Sequence, residues 1–138
     1  MDILIVGGGA IGRLFGYYLS LGNHQVTVVD ADPAVVHALN SRGIEFLGLG
    51  EINPDSVSVV PVQAVTSGAE VSSGDLILLT VKSAATRSAV TDIAHLVTPQ
   101  SPLLSLQAGL DHLEILQELL PAQSYYLGFT HMAGATLG

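Results

Sequence analysis

Three glycines, Gly7, Gly9 and Gly12, stand in the spacing G-x-G-x-x-G within "ILIVGGGAIGRLFGYYL". Glycine at the first position permits a tight turn, at the second it lets backbone approach a pyrophosphate, and at the third it allows close contact between a strand and the next helix. The N–H groups at the start of that helix would face the phosphate charge. A lone match says little, because glycine turns also serve purely structural ends. Context strengthens it: Asp30 lies eighteen positions after Gly12, at the end of the β-branched run "QVTVVD". A carboxylate there can accept hydrogen bonds from both hydroxyls of an adenosine ribose and would repel a 2′-phosphate. No arginine follows directly, since residues 31 to 34 are Ala31, Asp32, Pro33 and Ala34. NAD(H) is therefore expected over NADP(H). A turn or helix cap is the structural alternative for Asp30, although Asp32, just before Pro33, is better placed to cap.

These residues need elements to hold them. Residues 2 to 6, "DILIV", form a short apolar run stopped by glycines, as a buried strand would. Ile11, Leu14, Phe15, Tyr18 and Leu19 then recur at helical spacing until Gly22-Asn23. "QVTVVD" is the second strand, and Asp32-Pro33 opens a helix through Val35, Val36 and Leu39 to Gly43. From Ile44, "IEFLGLGEINPDSVSVVPV" alternates briefly around glycine and Asn53-Pro54, which predicts an irregular hairpin. "DLILLTV" from Asp75 to Val81 is the next strand, followed by a helix through Val90, Ile93, Ala94 and Val97 that stops before Pro99. "PLLSLQ" reads as a strand, and Asp111 with Glu114 as an acidic capping box for a helix through Leu113, Leu116 and Leu120. "SYYLGFTHMAGATLG" reads as a last strand-like run. Strands alternating with amphipathic helices predict one α/β domain over residues 1–138, a Rossmann-like doubly wound parallel sheet flanked by helices.

In such sheets ligands sit at the carboxyl ends of the strands. Residues just past those ends are Lys82 with Ser83, Gln107 to Gly109, and Thr130 with His131. Lys82 is the sole lysine. Its ammonium could hold the nicotinamide end of a dinucleotide or polarise a carbonyl, or it could be a solvated strand-end residue. The five histidines, His24, His37, His95, His112 and His131, are scattered, with no metal-ligand spacing. His37 and His95 read as helix-surface residues, and His131 as structural although within reach of the cleft. No nucleophile signature such as G-x-S-x-G is present, so hydrolysis has no support.

Composition bounds the rest. Charged residues are 12% of the 138, against a typical quarter, and mean hydropathy is +0.53. A sheet buried on both faces, and apolar surface meant for a partner domain or subunit, would together account for this. Net charge is −8 with four basic residues, so no basic stripe exists for a nucleic acid. Without cysteine there are no disulfides or thiolates. The first 22 residues do not make a signal peptide or membrane helix: Asp2 replaces a basic n-region, Arg13 interrupts the run, and the glycines break it. A cytoplasmic protein with no membrane contact is expected. The chain stops at Gly138 without a capping helix or polar tail, as a cut chain would.

The sequence resembles the N-terminal domain of the ketopantoate reductase family over essentially all of its length. The resemblance rests on "ILIVGGGAIG", "DLILLTVKSAAT", "SLQAGLDHLEIL" and "LGFTHMAGATLG". It implies hydride transfer from a nicotinamide cofactor, usually NADPH in that family, to the keto carbon of a 2-keto acid, ketopantoate or a relative. It implies that Lys82 lines the cofactor and substrate cleft as a catalytic residue. The expected cofactor site is Gly7, Gly9, Ala10, Ile11, Gly12, Asp30, Lys82, Gln107, Ala108 and Gly109. It further implies a helical C-terminal domain, absent from these residues, that supplies the principal catalytic lysine and closes the cleft; a homodimer is a candidate assembly. The isolated chain is accordingly expected to bind cofactor with little or no turnover. Three positions depart from the family pattern: Ala108 replaces an asparagine, Ala85 replaces a glutamine, and Ala31 falls where an arginine takes the 2′-phosphate. The alternatives are a non-catalytic NAD-sensing module, for which "VVDADPAVVHAL" also fits, and the cofactor domain of another hydroxyacid dehydrogenase.

Overall fold

The computed structural model describes residues 1–48, 57–72, 74–122, 124–131 and 134–136. Its elements run β1 (Asp2–Val6), α1 (Ala10–Leu21), β2 (Gln25–Val29), α2 (Pro33–Arg42), β3 (Ile44–Phe46), β4 (Ser58–Val60), β5 (Gln63–Val65), β6 (Leu76–Leu79), α3 (Thr86–Ile93), β7 (Leu103–Ser105), α4 (Leu113–Leu119) and β8 (Tyr125–Leu127). Six strands pair in the order β5-β2-β1-β6-β7-β8, and every pairing in that sheet is parallel. The chain builds outward from β1 to β5, then returns to the other side of β1 for β6. That reversal falls between β1 and β6, and in sheets of this kind the ligand crevice lies at the carboxyl ends of the strands there.

Side-chain alternation sends the apolar residues of each strand to both faces. Leu4, Val6, Ile77 and Leu79 pack with Val90, Ile93 and Leu116 of α3 and α4. Ile3, Ile5, Val28 and Leu78 pack with Tyr17 of α1, Leu39 of α2 and Ile44. The sheet therefore absorbs much of the unusual apolar content, as expected. At the β5 edge, the side-chain amide of Asn40 donates to the Ala64 carbonyl and accepts the Ala64 N–H, both at 2.8 Å.

The predicted doubly wound sheet is present, with local differences. β3 and β4 form the expected hairpin as an antiparallel pair, while residues 49–56 lie outside the described ones. β5 was not anticipated: three residues beside Pro61 carry too little periodicity to announce a strand. The helix after β6 is α-helical only to Ile93 and tightens into a 3-10 turn, Ala94–Leu96. The Asp111–Glu114 capping box does not form. His112 is the N-cap, in helical conformation with no side-chain cap, because the chain turns first: Gly109 has φ +83° and the Leu113 N–H bonds the Leu110 carbonyl at 2.9 Å. A capping box does occur where none was sought, with Ser67 and Glu70 around Gly68–Glu70. Among its described residues the closing run is a strand over Tyr125–Leu127; residues 132, 133, 137 and 138 lie outside the described ones. No described helix is long and apolar enough to cross a membrane.

Candidate functional site

The glycine turn leaves β1 beside the crevice. Gly7 has φ +113°, and a Cβ on it would lie 2.9 Å from the Val81 nitrogen, so both conformation and space require glycine. A Cβ on Gly12 would overlap the Gly7 carbonyl oxygen, which is the close strand–helix contact the third glycine permits. Thr80, just past β6, donates its hydroxyl toward the Gly7 carbonyl at 2.9 Å and the Val6 carbonyl at 3.1 Å. The turn is thus bolted to the strand across the crevice.

Gly9 differs from its neighbours. It is exposed, a Cβ on it would meet nothing within 4 Å, and as N-cap of α1 it offers no side chain to the helix's first amides. With Ala10, Ile11 and Gly12 it presents an uncapped helix start with open space before it. Free N–H groups facing open space are the donors that a pyrophosphate needs.

Asp30 directly follows β2, beside this turn. Its Oδ2 accepts the Gly8 N–H at 2.7 Å and its Oδ1 accepts the Asp32 N–H at 2.9 Å. Asp32 in turn caps α2 through the Ala34 N–H at 2.9 Å. Asp30 therefore fastens the turn, and each of its oxygens keeps a lone pair for a ribose hydroxyl. The residues present fit a dinucleotide.

Lys82 is exposed and precedes the 3-10 turn Ser83–Ala85, on the far side of the crevice from Asp30. Gln107 is only 7% exposed. Its Nε2 donates to the Val81 carbonyl at 2.7 Å and to Thr86 Oγ1 at 2.8 Å, and its Oε1 accepts from Ser105 Oγ at 3.3 Å. Its amide thus grips the loop that carries Lys82, while Ala108 and Gly109 beyond it are exposed. Val81 is the residue the sequence reading passed over. The Gly7 turn abuts its backbone and the Gln107 amide holds its carbonyl. Only the recurrence of strand ends at one level of the sheet could have pointed to it.

Gly134 lies against the start of α1, where a Cβ on it would sit 3.5 Å from the Ala10 carbonyl oxygen. The closing run therefore returns to the glycine turn. His131 is exposed, His37 and His95 are exposed on their helices as expected, and His112 is buried. No group of three metal-ligating side chains occurs among the described residues. A depression lined by Asp2, Gln25, Thr27, Gln63 and Glu70 opens at the other end of the strands and contains none of the expected site residues.

Strand order, reversal point and glycine turn define a doubly wound domain of the dinucleotide-binding class. The chain belongs to the ketopantoate reductase PanE/ApbA family, whose model matches residues 3–138. A 2-dehydropantoate 2-reductase from Pyrococcus abyssi is 37% identical over 110 residues, which are 80% of this chain and 34% of that protein. The structure of a "probable 2-dehydropantoate 2-reductase panE" from Bacillus subtilis superposes with a TM-score of 0.85 at 30% identity, covering 100% of this chain and 44% of that one. D-mandelate dehydrogenase with NADH and anilino(oxo)acetate superposes with a TM-score of 0.85 at 26% identity, covering 96% of this chain and 41% of that one. The chain thus spans less than half the length of these relatives.

Proposed function

We propose that this chain is the cofactor-binding part of an NAD(P)H-dependent reductase that converts a 2-keto acid, ketopantoate or a related acid, to the 2-hydroxy acid. The observation that carries the reading is the open, uncapped start of α1 at Gly9, set beside Asp30 at the reversal point of the sheet. The family membership and the NADH-bound D-mandelate dehydrogenase neighbour support it.

The bound nicotinamide would supply the hydride. The α1 amides of Ala10, Ile11 and Gly12 would hold the pyrophosphate, and Asp30 the adenosine ribose. Lys82, across the crevice, would face the nicotinamide end and stabilise negative charge on the substrate. The activity belongs to the whole protein. A second, helical domain completing the substrate cleft is proposed because the relatives are more than twice as long as the region matched.

We further infer that NADH is preferred, because Asp30 puts a carboxylate where a 2′-phosphate would go and Ala31 offers no countercharge. Calorimetric titration of the chain with NADH and NADPH tests both parts. NADH binding at least about tenfold tighter is expected, roughly the effect of one like-charge contact; equal or reversed affinities overturn the preference, and no binding of either overturns the cofactor reading. A panel of 2-keto acids on a longer chain tests the substrate class.

A further inference from the structure

A chain of net charge −8 has four basic residues, and the structure divides them into two kinds. Arg42 lies 4.0 Å from Glu45, and Arg87 makes a two-pronged pair with Glu118 at 2.9 and 2.7 Å. Arg13 and Lys82 have no carboxylate partner among the described residues. Both flank the crevice at the carboxyl ends of the strands: Lys82 follows β6, and Arg13 stands on the first turn of α1. In so acidic a chain, carboxylates are plentiful and cations scarce. The two cations left without carboxylates are the two beside the glycine turn.

Arg13 does not simply extend into water. It is half-buried, and its Nε donates to the Gly8 carbonyl at 2.8 Å. This folds the guanidinium back over the turn. The bond uses a single donor of the planar fork, so the Nη1 and Nη2 donors stay available. The Gly8 N–H meanwhile goes to Asp30. Opposite charges therefore hold Gly8 from its two sides, and the open amides begin at the next residue. A pyrophosphate brings more negative charge than one helix terminus offsets, and Asp30 and Asp32 add to it nearby. A guanidinium held in place by a carbonyl is the group that compensates.

We propose that Arg13 is a phosphate-binding residue of the cofactor site, its Nη donors reaching the pyrophosphate oxygens alongside the α1 amides. The inference rests on the dinucleotide reading above. It gives the adenosine end of the crevice its own cation, with Lys82 serving the nicotinamide end.

The test compares the wild-type chain with Arg13→Gln and Arg13→Lys by calorimetry, with adenosine measured by competition. Glutamine can still donate to the Gly8 carbonyl but carries no charge, so the turn stays closed while the cation is lost. Arg13→Gln is expected to weaken NADH and ADP about tenfold, the usual loss for a charge-assisted hydrogen bond. Adenosine, which has no phosphate, should be unaffected, and Arg13→Lys should recover most of the ADP affinity. Unchanged ADP affinity in Arg13→Gln overturns the proposal. So does an equal loss for ADP and adenosine, which would make Arg13 a purely structural clamp. NADPH is titrated alongside, and a loss confined to it would place the contact at the 2′-phosphate and overturn the pyrophosphate assignment. A wild-type chain that binds neither NADH nor ADP fails at the dinucleotide reading itself, which separates that failure from this one.

Discussion

The side-chain amide of Gln107 holds the Val81 carbonyl at 2.7 Å, so the segment just past β7 fixes the residue that precedes Lys82. The same nitrogen also reaches Thr86 at 2.8 Å, where α3 begins. Replacing Gln107 with leucine leaves that carbonyl and the Thr86 hydroxyl without their side-chain partner, and leaves the Ser105 hydroxyl only the long bond from the residue 107 N–H at 3.5 Å, at about 1–3 kcal/mol for each group that water cannot reach. Urea unfolding should show a loss of about 3 kcal/mol in total, since some groups will find new partners. A loss under about 0.5 kcal/mol would mean that the network holds nothing.

Gly9 and Gly12 should separate binding from stability. Gly12→Ala drives a methyl group into the Gly7 carbonyl and should destabilise the fold by about 2 kcal/mol or more, as overpacking does. Gly9→Ala places its methyl in open space at a φ of −75°, which any residue adopts. Its stability should stay within about 0.5 kcal/mol of wild type, while NADH affinity falls because the methyl occupies that space. Thermal melts with and without NADH check both expectations.

Asp30→Asn keeps a side-chain oxygen for the Gly8 N–H but removes the charge. The NADH-to-NADPH affinity ratio should fall by about tenfold, in line with a relieved like-charge contact. Fluorescence titration of both cofactors reads that ratio directly, and an unchanged ratio would show that Asp30 only fastens the turn.

Acid should act on the exposed pairs first. The two hydrogen bonds from Arg87, and then its charge, hold the Glu118 carboxyl below the usual glutamate range. Glu70 is likewise held low, chiefly by the hydroxyl and N–H of Thr66. A carboxyl whose folded-state value is depressed adds stability that is fully present above the unfolded glutamate value and is lost as pH falls through the folded one. Glu118→Gln should therefore lower Tm slightly at neutral pH and not at all in strong acid. The margin should shrink in high salt, because both partners are open to solvent. A difference that grows on acidification would reverse the sign and refute the account.

Much of the frame is legible in the sequence because one-letter patterns carry it. A branched apolar run stopped by glycine predicted β1, the runs "QVTVVD" and "DLILLTV" predicted β2 and β6, and Asp32-Pro33 predicted the start of α2 together with its capping bond. β5 escaped because three residues, "QAV", are too few to show a period. The Asp111 box was misread because a positive-φ glycine two residues earlier had already set the turn, and spacing alone does not report φ. Within the candidate site, spacing marks the glycines and Asp30 as candidates. It does not show the engagement of Gln107 or the backward fold of Arg13, since a side chain's direction depends on strands that pair far apart in the chain.

The Asn40 amide mimics one peptide unit of a neighbouring strand. At Ala64 it occupies both the donor and the acceptor that an incoming strand would use. One flank of the sheet thus ends in a side-chain plug contributed by the chain's own helix, so self-association by edge pairing is blocked there without help from charge or proline. The plug needs only a carboxamide at residue 40. Its loss would convert a finished border into a sticky one, and the first symptom would be aggregation at high concentration rather than unfolding.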